Sequence, residues 1–132
     1  MNRAELLGRL ERLKLSKEDY WLVTGGAMVL YGLRAETGDI DLGCTTKLAD
    51  ELEAKGFPVT RTPDGNRKIC LSDDVEIFEN WLYDCVEMCA GIPVISLRGL
   101  MAMKQALGRE KDRQDVARIA EFLKAAQQSD LA

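Results

Sequence analysis

The chain reads as a mixed β-sheet of about five strands with helices packed on it, an α/β or α+β fold closing on a helical C-terminus. Three observations carry that reading. Short apolar runs such as Trp21-Leu22-Val23 and Ile92-Pro93-Val94-Ile95 alternate with longer segments whose leucines recur at helical spacing. A glycine pair, Gly25-Gly26, directly follows the first of those runs, as at a tight strand-to-helix turn. Between two further candidate strands stands Pro63-Asp64-Gly65-Asn66, a strong turn signal. The 132 residues allow one core, so residues 1–132 are expected to form one domain.

The elements follow in order. Leu6, Leu7, Leu10 and Leu13 predict a helix over 3–14, and 16–19 reads as a loop. Residues 21–24 form a buried strand, the glycines turn the chain, and 27–33 make a short helix. Residues 39–44 are the second strand. Thr45 or Thr46 then caps a helix through Leu48, Leu52 and Ala54, ended by Gly56. Short strands are expected at 57–60, 68–71 and 75–78, with another at 92–95. Ser96 caps a helix to about Leu107, which Gly108 terminates. The last helix, 111–125, carries Val116, Ile119, Ala120 and Leu123 on one stripe.

Composition narrows the chemistry. Histidine is absent, which removes Cys/His zinc sites, histidine bases and serine triads. The four cysteines (Cys44, Cys70, Cys85, Cys89) show no CxxC pairing, and Cys85 and Cys89 approach each other only if a helix carries them. They read as reduced thiols, so a cytoplasmic protein is expected. No apolar run reaches membrane-spanning length. A net charge of −4 argues against a broad nucleic-acid surface, though not against a nucleotide whose phosphates arrive with metal.

Asp39-Ile40-Asp41 is the most informative motif. Side chains alternate along a strand, so Asp39 and Asp41 share one side while Ile40 enters the core. Two carboxylates ~4 Å apart at an effective dielectric of ~20 repel by about 4 kcal/mol, which a divalent cation relieves. Oxygen-only ligands point to Mg2+ or Mn2+ rather than zinc. A third carboxylate is available in Asp73-Asp74-Val75-Glu76. A strand burying Val75 and Ile77 sends Glu76 to the opposite face, with Asp74 as the reserve candidate.

Gly25 and Gly26 let backbone approach a ligand closely, and the following helix directs free N–H groups to the same place. The GxxxxGK[ST] spacing of ATPase loops is missing. Arg34 and Thr37 stand just before the aspartates, where they either orient a substrate or pair with nearby carboxylates. Lys104 falls within the apolar side of its helix, from which it either snorkels to solvent or reaches a phosphate. In Lys111-Asp112-Arg113-Gln114-Asp115 the acids suit a helix N-terminus, so the run reads as mainly structural.

These residues resemble the nucleotidyltransferase superfamily that includes DNA polymerase beta and the aminoglycoside nucleotidyltransferases, and in particular its minimal single-domain members. The shared pattern is a Gly-Gly or Gly-Ser turn, a short helix, an Asp-x-Asp strand and a later strand with a third carboxylate. Here those are Gly25-Gly26, Asp39-Ile40-Asp41 and Glu76, within a likeness spanning roughly residues 20–120. The wording around Gly32-Leu33-Arg34 and the tail from Ile95 to Lys104 with Lys111–Asp115 also resemble small relatives proposed as antitoxins. The resemblance implies a nucleotidyltransferase-like fold in which Asp39, Asp41 and Glu76 bind two magnesium ions. Glu76 helps deprotonate a hydroxyl acceptor, the glycine turn holds a nucleoside triphosphate, and pyrophosphate leaves. Two departures stand out: Gly26 replaces a serine, and Glu76 is one methylene longer than the usual aspartate.

Two functional expectations follow. One is an enzyme moving a nucleoside monophosphate to a hydroxyl of a small molecule, protein or RNA end. The other is a binding module of the same fold, an antitoxin or regulator with weak or no turnover; both stand ahead of an interaction domain whose acids are incidental. Few residues lie outside the core, so the acceptor is expected from a partner protein or across a homodimer.

Overall fold

The computed structural model describes the backbone of residues 1–131 and the side chains of residues 1–127. The elements run α1 (Arg3–Leu13), β1 (Tyr20–Val23), α2 (Thr24–Leu30), β2 (Ile40–Cys44), α3 (Thr46–Ala54) and β3 (Val59–Arg61). They continue with β4 (Arg67–Ser72), β5 (Val75–Glu79), β6 (Val86–Cys89), β7 (Ile92–Ile95), α4 (Leu97–Leu107) and α5 (Glu110–Leu131). The strands make one mixed sheet in the order β3-β4-β5-β2-β1-β7-β6.

Local chemistry explains most boundaries. Asn2 and Glu5 form a reciprocal capping box at α1, which buries Leu6 and Leu10. The hydroxyls of Thr45 and Ser96 accept from Leu48 N and Gly99 N, capping α3 and α4. Gly108, in the left-handed region at φ 65°, closes α4.

The sheet centre positions the site. β1 is buried throughout, pairing antiparallel with β2 and parallel with β7. β2 and β5 run parallel with Asp41 opposite Glu76 and Leu42 opposite Ile77. β5 alternates: Val75 and Ile77 are fully buried while Glu76 and Phe78 are half-exposed, which puts Glu76 on the open face. α2 lies on β1 and β2, and α4 packs behind it with α5 alongside. The core joins these layers through Leu22, Met28, Leu42, Ile77, Ile95 and Met103, all with no exposed surface.

Among the described residues seven strands replace the expected five or so. β6, unannounced by the sequence, is an edge strand whose alternate residues Val86 and Met88 stay exposed, so it lacks the apolar signature of a buried strand. Cys85 therefore precedes a strand that Cys89 ends, and no helix brings the two together. α2 begins at Thr24, three residues before its expected start, because both glycines are already helical. α5 continues past the expected 125 to Leu131. Asp39 lies one residue before β2. Among the described residues no helix is long and apolar enough to cross a membrane.

Candidate functional site

A cavity of about 430 Å³ opens on the face of the sheet that carries Glu76. Asp39, Asp41 and Glu76 all line it, together with Thr24 and Arg109. Phe78 and Trp81 form a tilted aromatic pair on its far wall, their ring centroids 4.9 Å apart. Two neighbouring strands thus bring the three carboxylates of the sequence motif to one opening. The reserve candidate Asp74 is turned elsewhere: Arg9 grips it through two hydrogen bonds of 2.6 and 2.7 Å, holding its carboxyl down at about 2.

Asp41 is the strained member. Burial pushes its carboxyl above the ordinary range, and the nearby Asp39 and Glu76 charges add to that push. Opposing it, the Thr24 hydroxyl donates to Asp41 Oδ2 at 2.8 Å, and Lys104 contributes positive charge. Thr24 itself holds φ 54°, a left-handed conformation that a β-branched residue rarely adopts. The turn thereby aims its hydroxyl at the carboxylate, a role the sequence reading did not give it.

Three carboxylates form an all-oxygen donor set, which suits a hard divalent ion. As they stand, no group of three or more acidic or cysteine side chains among the described residues is gathered to enclose a metal ion. Glu76 is itself paired, its Oε2 2.9 Å from Lys68 Nζ. The donor chemistry fits, and Lys68 occupies one arm of it.

The glycines make room for neighbouring side chains. A Cβ on Gly25 would come within 2.7 Å of both Arg34 Nη1 and Thr37 Oγ1. On Gly26 it would meet Leu22 Cδ1 at 2.8 Å. Gly25 thus seats Arg34 and Thr37, and it also lines a small chamber beside Asp39 and Asp41. Thr37 is buried and its hydroxyl donates to Asp39 O at 3.3 Å, steadying the approach to the first aspartate.

Lys104 neither snorkels nor stands free. It is 3% exposed, with Nζ 3.0 Å from Asp115 Oδ2 and 3.4 Å from Asp112 Oδ1. Arg34 Nη2 donates to the same Asp115 at 2.7 Å. Arg109 grips Asp112 through Nε at 2.6 Å and Nη2 at 3.2 Å. Burial would raise the Asp112 carboxyl, but the Arg109 hydrogen bonds and the Lys104 charge outweigh it and set it below the usual range. The acids of the Lys111–Asp115 run are thus buried counterions more than dipole partners. Only the recurrence of Asp at 112 and 115, one helical turn apart opposite a core-side lysine, hinted at this.

No protein-family model matches the chain, and no curated protein matches it. Among solved structures, the crystal structure of the lincosamide antibiotic adenylyltransferase LnuA with lincomycin bound is similar over 88% of this chain and 92% of that one, at 17% identity and a TM-score of 0.53. ANT(2")-Ia in complex with adenylyl-2"-tobramycin aligns over 96% of this chain and 95% of that one, at 18% identity and a TM-score of 0.49. The mixed sheet, the flanking helices and the likeness to LnuA together give this chain the nucleotidyltransferase fold.

Proposed function

We propose that the protein transfers a nucleoside monophosphate from a nucleoside triphosphate to a hydroxyl acceptor and releases pyrophosphate, with Mg2+ or Mn2+ as cofactor. One observation carries the reading: Asp39, Asp41 and Glu76 converge on a single cavity, with Asp41 and Glu76 in register on adjacent parallel strands. Fold alone does not fix function. The structural neighbour's adenylyltransferase activity is nonetheless consistent with this site.

Asp39, Asp41 and Glu76 are the residues that would hold divalent ions. A bound ion supplies charge neutralisation on the phosphates and at the attacking oxygen. The protein's own part is positioning. Thr24 fixes the rotamer of Asp41, and Glu76 accepts the proton of the acceptor hydroxyl once Lys68 releases it. The acceptor oxygen bonds to the α-phosphorus as the bond to the bridging oxygen breaks, and pyrophosphate departs past Arg109. Gly25 and Thr37 seat and shape the loop, while Arg34 and Lys104, held by the buried ion network, line a small chamber with Gly25 beside Asp39 and Asp41.

A second reading, a binding module with little or no turnover such as an antitoxin or regulator, is favoured by the Lys68–Glu76 pair, which engages the third carboxylate. A panel of nucleoside triphosphates with magnesium, scored by melting shift and pyrophosphate release, separates the two. Turnover that Asp41→Asn abolishes supports the enzyme. No shift and no release with any triphosphate supports the binding module, which keeps its partner interaction in Asp41→Asn.

A further inference from the structure

Of the three acids that line the cavity, Glu76 alone has a basic partner. Lys68 Nζ stands 2.9 Å from its Oε2, whereas among the described residues no lysine or arginine pairs with Asp39 or Asp41 within 4.0 Å. The pairing is diagonal: Lys68 sits across the β4–β5 ladder from Phe78, and Glu76 is two residues before Phe78 on β5. The same ammonium lies 5.7 Å from the centre of the Phe78 ring. It therefore has two holders on the open face, a carboxylate and the face of an aromatic ring.

The neighbouring residue of β4 shows what a permanent pair looks like in this sheet. Arg67 grips Glu79 through Nε at 3.1 Å and Nη2 at 2.7 Å, with both side chains under 10% exposed. Lys68 and Glu76 are 40% and 37% exposed and share a single contact. Water reaches both groups, so little is lost when they part. An ammonium leaving Glu76 regains hydration and keeps the ring beside it. A compact charge on a flexible stem suits such a movement better than a two-pronged guanidinium does.

We propose that Lys68 is a positioning residue that stands in for the divalent ion at Glu76, and that ion binding at this site is an exchange. The ion first meets Asp39 and Asp41, which have no basic partner to shed. Glu76 joins it as the Lys68 ammonium withdraws onto Phe78. This rests on the reading of the three carboxylates as ion ligands under the proposed transfer, and on the pair's own geometry for the exchange. Lys68 thereby keeps Glu76 extended on the open face, and it lowers ion affinity by what the pair is worth.

The test is Mn2+ binding to the full chain, read from the electron paramagnetic resonance of the free ion, with near-ultraviolet circular dichroism as the check on folding. Lys68→Met should bind Mn2+ about threefold more tightly than wild type, the scale of a half-exposed ion pair. In a Glu76→Gln background the same change should have almost no effect, because the exchange partner is gone. Lys68→Arg keeps the charge but can grip both Glu76 oxygens, so it should bind Mn2+ about twofold more weakly. Unchanged or weaker binding by Lys68→Met overturns the proposal, and so does an equal gain in both backgrounds, the mark of a plain field effect. Where Glu76→Gln binds too weakly to titrate, Lys68→Arg decides: affinity equal to wild type or tighter overturns the exchange. Triphosphate turnover with one Mn2+ affinity for wild type and Lys68→Met refutes the exchange and leaves transfer standing. The expected gain without turnover of any triphosphate refutes transfer and leaves the exchange standing. Mn2+ bound by neither protein refutes the ligand reading and the exchange with it.

Discussion

Asp41→Asn should make the metal-free protein more stable while removing its chemistry. The native fold holds the Asp41 carboxyl above its ordinary value, through burial first and then the charges of Asp39 and Glu76. A carboxyl raised on folding contributes stability that is complete below its unfolded value and is lost as pH rises through the folded value. At neutral pH the ionised group is therefore a cost. Asp41 and Glu76 are register partners on strands ~4.8 Å apart, where like charges repel by roughly 1 to 3 kcal/mol between water-like and surface-like dielectrics. Lys68 screens Glu76, and the Thr24 hydrogen bond weakens by about 1 kcal/mol when its acceptor becomes neutral. The net gain is about 1 kcal/mol, or ~3–4 °C in melting temperature for a chain of this length. Magnesium should act the opposite way. At ~10 mM ion and a dissociation constant of ~1 mM, wild type gains about 1.4 kcal/mol, near 5 °C, and Asp41→Asn gains much less. Differential scanning calorimetry at pH 7.5, with and without magnesium chloride, reads both effects. A metal-free Asp41→Asn melting below wild type, or one answering magnesium as wild type does, would refute the reasoning.

Other outcomes are as specific. Lys104→Met leaves two buried carboxylates short of a cation, though each keeps one arginine, so a loss of about 3 kcal/mol and ~10 °C is expected by thermal unfolding. Gly99→Ala would drive a Cβ into the Tyr83 carbonyl oxygen and within 2.9 Å of Ile95 Cγ1, so it should cost more than ~3 kcal/mol in urea unfolding, whereas Gly38→Ala, with open space beside it, should cost far less. Arg67 holds Glu79 at 2.7 Å and pulls its carboxyl down to about 2. Stability from that pair is present above the unfolded value of 4.5 and fades as pH falls toward about 2, so Arg67→Met should flatten the acid limb of stability against pH.

Much of this was legible in the residues because it depends on local chemistry. Ser96 and Gly108 bracket α4 as caps, and the alternation of Val75, Glu76 and Ile77 put Glu76 on the open face before any pairing was known. What stayed hidden depends on partners distant in sequence. Lys104 looks like a surface-seeking lysine until the fold brings Asp112 and Asp115 under it. Arg34 meets Asp115 across 81 positions, a pairing no spacing rule reaches. Lys68 reaches Glu76 diagonally, because the β4–β5 register sets Lys68 opposite Phe78 and Cys70 opposite Glu76. The edge strand β6 escaped because Val86, Glu87 and Met88 are all exposed, leaving no buried apolar run to mark it.

The acids at the middle of the sheet and the groups that surround them belong to structurally separate parts. Thr62 and Asp64, on the β3–β4 hairpin, reach the cleft from one side, and Arg109, on the α4–α5 junction, reaches it from the other. Neither peripheral unit supplies the Asp41–Glu76 couple, which rides on two interior strands. Such a layout resembles a vice with a fixed bed and two exchangeable jaws. Residues of either jaw can be swapped to retune what is gripped while the central anvil keeps its shape, which makes those two short connections the natural place to engineer selectivity.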